Sequence, residues 1–102
     1  MAKGFELFMS EEPELAKAYG GMVMRVAKSS ALDQKTQELA YLAVLSALGM
    51  TGGLDFHVAS LKKLGASRDE VRSAVLVGLP AVGMAAIDAL GAALDAYDAA
   101  EA

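Results

Sequence analysis

The 102 residues of this chain predict an all-α protein, a compact bundle of about five to six helices. Three observations carry that expectation. Apolar residues recur at spacings of three and four along most of the chain. The period-two alternation of a half-buried strand is missing. Capping residues and glycines punctuate the sequence at helical intervals. The length is that of one domain, expected to span 1–102 with its core at about 10–97.

Ser10-Glu11-Glu12-Pro13 opens the first expected helix, because acidic side chains suit a first turn and proline is tolerated where amides lack intrahelical partners. It should reach about Ala27, with Gly20 and Gly21 as a weak point that bends it or admits a close neighbour. Asp33 caps the second helix, Gln34 to about Leu48, and Gly49 suits its C-terminus. The second half of that helix is apolar nearly all round, which predicts burial on every side.

Thr51-Gly52-Gly53 forms a turn, and Thr51 or Asp55 is expected to cap the third helix, which runs to Leu64 before Gly65. Leu54, Val58 and Leu61 make its core stripe. Ser67-x-x-Glu70 is a capping box, each side chain serving the other's free amide. The fourth helix carries Val71, Ala74, Val75 and Gly78 until Pro80 forces a break. A fifth helix is expected from Ala81 to about Tyr97, with a frayed tail after it. Ile87, Leu90, Leu94 and Tyr97 line one face, and Ala81, Ala85, Ala89 and Ala93 another. Two packing faces on one helix predict a partner subunit.

Composition points the same way. The chain is 55% apolar and 22% charged, with mean hydropathy +0.37. So small a sphere cannot bury all of that, and large exposed apolar patches mark contacts with other molecules. A homo-oligomer is the expected partner arrangement. A membrane span is not expected, because the richest apolar run, Leu39 to Met50, falls short of the ~18 residues required. Met1 to Glu6 lacks the apolar segment of a signal peptide, so the cytoplasm is the expected location. Net charge is −4 with the basic residues scattered, which disfavours nucleic acid despite the helix-turn-helix look of Leu61 to Val71 and its Arg68 and Arg72.

There is no cysteine, which removes disulfides, thiolate catalysis and zinc–thiolate sites. His57 is the only histidine. It is either a hydrogen-bonded core residue or a general acid or base, since imidazole titrates nearest neutrality. Glu38 shares a line of the second helix with Leu42, Leu45 and Gly49. A carboxylate entering such a stripe is partly desolvated, which suits it to proton transfer, unless it is merely the last solvated residue before the core. In a simple antiparallel hairpin His57 lies level with residue 45, leaving Glu38 about 10 Å further along. Contact then needs a tilted arrangement, a water or another subunit. His57 with Ser60 lacks a third triad member. Asp55, His57 and Glu38 make a weak metal set, and Thr51-Gly52-Gly53 is no phosphate loop. No cofactor and no metal are expected. Met22, Met24, Met50 and Met84 read as core filler or the lining of an adaptable pocket.

Leu32 to Ala40 leading into an Ala/Leu-rich helix, the helix bearing His57, the segment Leu64 to Val71 and Gly78-Leu79-Pro80-Ala81 follow one another in an order that resembles the carboxymuconolactone decarboxylase family, including its alkylhydroperoxidase-D-like proteins. The resemblance covers about residues 10 to 97 and rests on Glu38, His57 and the Gly-Ala-Ser-Arg segment together. It implies an alkylhydroperoxidase-D-like helical fold and a ring such as a trimer or hexamer. In the peroxidase branch a glutamate, a Cys-x-x-Cys pair and a histidine form a proton relay and redox centre. Glu38 and His57 match the outer two, while the cysteine positions fall on Met50 and Gly53. The resemblance therefore implies no thiol peroxidase here. The decarboxylase branch needs no cysteine pair and acts on a carboxylated lactone. It implies His57 as proton carrier, Glu38 as its relay, and Arg25 or Arg72 as the cation for a substrate carboxylate. A non-catalytic scaffold or small-ligand binder that kept the fold is the competing expectation.

Overall fold

A computed structural model of the chain describes residues 3–101. Met1, Ala2 and Ala102, which the expected signal-peptide-free start, the domain limits and the tail include, lie outside them. Among the described residues there are eight helical segments and no strand: α1 Lys3–Glu11, α2 Pro13–Ser29, α3 Gln34–Ala47, α4 Leu54–Lys63, α5 Arg68–Leu76, α6 Leu79–Val82, α7 Met84–Asp88 and α8 Leu90–Ala99. The last three are pieces of one interrupted helix, so the bundle has six helices. None of them is long and apolar enough to cross a membrane.

The punctuation is mostly where the sequence places it. Asp33 accepts the Thr36 amide at 2.8 Å. Ser67 accepts the Glu70 amide at 3.0 Å while Glu70 accepts the Ser67 amide at 2.8 Å, closing the capping box. Gly49 and Gly65 stop α3 and α4 in the left-handed conformation, at φ 69° and 89°. Behind each, the chain closes a Schellman pair, Met50 N–H to the Leu45 carbonyl and Ala66 N–H to the Leu61 carbonyl.

Several expectations need correction. The chain is already helical from Lys3, and α1 packs on α2 through an edge-to-face triangle of Phe5, Phe8 and Tyr19 with centroids 6.2–6.3 Å apart. Gly20 and Gly21 do not break α2, which runs on to Ser29. Neither Thr51 nor Asp55 caps α4. Gly53 holds that position, and the Asp55 carboxylate instead accepts its neighbour Phe56 N–H at 2.9 Å. The long final helix is interrupted, because Gly83 at φ 63° and ψ −136° lies outside the helical region, so α6 stops at Val82 and α7 starts afresh at Met84. Pro80 sits in the first turn of α6, where its missing amide leaves no hydrogen bond unmade. The alanine face does not wait for a partner over its whole length: Ala89 and Ala93 are fully buried within the chain. The tail is held as well, since Lys62 Nζ donates to the carbonyls of Tyr97 and Ala100, both at 2.8 Å.

The core gathers one stripe from each central helix: Leu42 and Leu45 of α3, Leu54, Val58 and Leu61 of α4, and Val71, Ala74 and Val75 of α5, closed by Ala89 and Ala93. α3 packs most closely on α5, and α4 on α8. Burial of α3 on every side is not met. Its inner face is enclosed, but Tyr41, Val44 and Leu48 on the outer face are 44%, 53% and 66% exposed.

Candidate functional site

Glu38 stands in the second turn of α3, a helix whose start is fixed by the Asp33 cap. His57 stands in the first turn of α4, four residues after the glycine that begins it. The two meet directly: His57 Nδ1 and Glu38 Oε2 are 3.1 Å apart. Each side chain is about three-quarters buried, at 24% and 25% exposure.

The separation of about 10 Å expected for a straight hairpin is therefore wrong, and the reason lies in the connection. Residues 48–53 are not helical. A non-helical residue advances up to ~3.3 Å, against 1.5 Å in a helix. After the Schellman turn at Gly49 the non-helical residues 48–53 give the connection reach enough to bring His57 to Glu38. No water or second subunit is needed to bridge the pair.

Two aromatic rings brace the imidazole. Tyr41, one turn beyond Glu38 on α3, has its ring centroid 4.9 Å from that of His57 at an interplanar angle of 67°. Phe56 lies 5.3 Å away at 89°. Such edge-to-face contacts hold the ring in one orientation and keep water from its sides. Sequence reasoning missed both as parts of the site. The available signal was their spacing, Tyr41 three residues after Glu38 and Phe56 next to His57.

This geometry decides the proton arrangement. A carboxylate only accepts, so the hydrogen of the Glu38–His57 bond sits on Nδ1. Among the described residues Glu38 is the only hydrogen-bond partner of the ring, which leaves Nε2 as the nitrogen a reactant can address.

Met50 and Gly53 lie in the connection just before α4. A Cβ placed on Gly53 would stand 3.9 Å from His57 Cδ2, so position 53 adjoins the imidazole. Met50 is 55% exposed. Arg72 does not join the pair; its guanidinium meets Asp69 of the same helix at 3.0 Å. Arg25 lies on α2, which has no buried residue. Arg68, the other arginine of the helix-turn-helix look, is held by Asp98 at 2.9 Å. Asp55 and Ser60 are not hydrogen-bonded to His57, and among the described residues no three His, Asp or Glu side chains are grouped as metal ligands. A separate apolar groove of about 680 Å³ runs between α3 and α5, past Ala40, Ala43, Val44, Ser73 and Val77.

Residues 13–96 match the model of the Carboxymuconolactone decarboxylase family, which is most of the chain. No curated protein and no solved structure matches it.

Proposed function

Because the chain belongs to the carboxymuconolactone decarboxylase family, we propose that it is a cysteine-free member carrying out acid–base chemistry, decarboxylation of a small carboxylated substrate, with His57 as the proton carrier and Glu38 as its positioning carboxylate. The 3.1 Å contact between the two side chains is the observation that supports this reading. In such a step the bond from carbon to the carboxylate breaks, carbon dioxide leaves, and the electron pair stays on carbon, delocalised into a neighbouring carbonyl. The proton carried on His57 Nε2 is delivered to that carbon, and solvent recharges the ring. Glu38 holds Nδ1–H throughout and stabilises the imidazolium when both nitrogens are protonated. Thiol-dependent peroxide reduction is outside this chemistry, since the chain has no cysteine. The active form is a homo-oligomer, a trimer or hexamer, located in the cytoplasm.

The test is carbon dioxide release from a panel of small carboxylated lactones by wild type, His57→Ala and Glu38→Gln. General acid–base catalysis is worth about 10²–10⁴-fold, so His57→Ala should lose that much and Glu38→Gln a smaller part of it. Turnover that survives His57→Ala rules out the mechanism. Saturable binding of a carboxylated lactone without any release of carbon dioxide favours the second reading, a small-ligand binder, which the open, quarter-exposed setting of the pair also supports.

A further inference from the structure

Two of the apolar surfaces that the described residues leave bare face away from the core. One is the outer face of α3, where Tyr41, Val44 and Leu48 continue on one side into the groove against α5 and on the other to Phe56, 63% exposed beside His57. The second is on α2. Leu15, Tyr19, Met22 and Val26, spaced four, three and four, make a single helical stripe, and each is 46–56% exposed. α2 packs on α1 but buries no residue.

The bare area is enough for an interface, and charge favours another copy as its cover. A monomer of 10.5 kDa is expected to expose about 5,400 Å². This chain exposes 6697 Å², an excess of about 1,300 Å², where a stable interface takes about 800 Å² from each partner. Residues 30–102 carry nine acidic and five basic side chains, net −4, whereas α2 carries Lys17, Arg25 and Lys28 against Glu14. A basic helix with an apolar stripe fits an apolar face set in an acidic body.

The Glu38–His57 pair is incomplete in the same place. Tyr41 and Phe56 brace it from the sides, but none of the salt bridges among the described residues brings an Arg or Lys to it. Arg25 follows Met22 by three positions, on the flank of the α2 stripe, and has no acidic partner among the described residues.

We propose that a second copy of the chain lays α2 along the outer face of α3, closes the Glu38–His57 site, and supplies Arg25 in trans as the cation for a ligand carboxylate. This deepens the catalytic reading, since it names how that site holds its anion. It is tested without turnover, so its failure is distinct from the failure of that reading.

The chain has no cysteine of its own, so Met22→Cys and Val44→Cys variants each carry a single thiol. Mixed and oxidised, they should form a disulfide-linked dimer in much higher yield than Met22→Cys mixed with Asp95→Cys, whose thiol lies on the exposed side of α8. Equal yields overturn the seating. His57 is the only histidine, so the ultraviolet absorbance of carbethoxyhistidine formed by diethyl pyrocarbonate reports on it alone. Acylation should be severalfold faster in Met22→Glu/Val26→Glu, which is expected to run as a monomer, and an unchanged rate overturns the closure. Benzoate should protect His57 in wild type and fail to do so in Arg25→Ala. His57→Ala is silent in this assay, so an equal mixture of Arg25→Ala with His57→Ala reads only the former's imidazoles. Random assembly should restore benzoate protection to about half of them. No restoration, or protection that persists in Arg25→Ala alone, overturns the role of Arg25.

Discussion

Lys62 is the residue whose replacement tests the packing most sharply. Its ammonium donates at 2.8 Å to the Tyr97 carbonyl and at 2.8 Å to the Ala100 carbonyl, the open end of α8. It also lies 4.6 Å from the Tyr97 ring centroid. The Tyr97 hydroxyl in turn donates to the Ala66 carbonyl at 2.8 Å, tying α8 to the turn between α4 and α5. Lys62→Met keeps the aliphatic stem and removes the charge and both donors. Hydrogen bonds from a charged group are worth about 1.5–3 kcal/mol each when well buried. Here the helix end is partly wet, so water replaces much of each bond, while the lost interaction of a cation with a helix C-terminus adds about 0.3–1 kcal/mol. The net expectation is about 1–2 kcal/mol, a fall in Tm of roughly 4–16 °C for a domain of this size. Urea unfolding at fixed protein concentration measures it, with Lys63→Met on the exposed neighbouring position as control. If the two variants unfold within about 0.5 kcal/mol of each other, the ordinary range for surface substitutions, Lys62 does not hold the end of α8.

Leu61 is fully buried where α4 meets the core, so Leu61→Ala should cost about 2–5 kcal/mol in urea unfolding, and a loss under 1 kcal/mol would contradict its place there. Gly83→Ala forces a Cβ onto φ 63° and should destabilise by about 1–3 kcal/mol, whereas Gly53→Ala at φ −112° meets only His57 at 3.9 Å and should stabilise by about 0.4–1 kcal/mol; thermal melts that rank the two the other way refute both assignments. Glu70 and Asp33 are held below the usual carboxylate range, chiefly by the cap amides of Ser67 and Thr36, and Asp98 chiefly by the Arg68 guanidinium. Groups with depressed folded-state values stabilise above their unfolded pKa and lose that contribution as pH falls through the folded value, so stability should hold from neutrality to about pH 5 and fall below about pH 4. Glu70→Gln should flatten that acid limb in a series of urea melts, and an unchanged slope would remove Glu70 from the account.

The local features of this protein were legible in its residues because they depend on neighbours in the chain. The Asp33 cap, the Ser67–Glu70 box, the glycine stops at 49 and 65 and the Leu54, Val58, Leu61 stripe are each decided within about two helical turns. Glu38 and His57 stood out in the same way, as the one carboxylate entering an apolar stripe and the one imidazole. What the residues alone left open was every fact that depends on the path between helices. A straight hairpin keeps Glu38 from His57, and only the course of residues 48–53 sets them 3.1 Å apart. The alanine row from Ala81 to Ala93 likewise runs through Gly83, because spacing says which faces agree and nothing about whether the axis bends between them. Lys62 looked like one more scattered cation until α8 brought two carbonyls to it. The apolar surplus was plain from composition, but its location on α2 and the outer face of α3 was not, since burial is a property of packed surfaces and a sequence lists only the side chains that could form them.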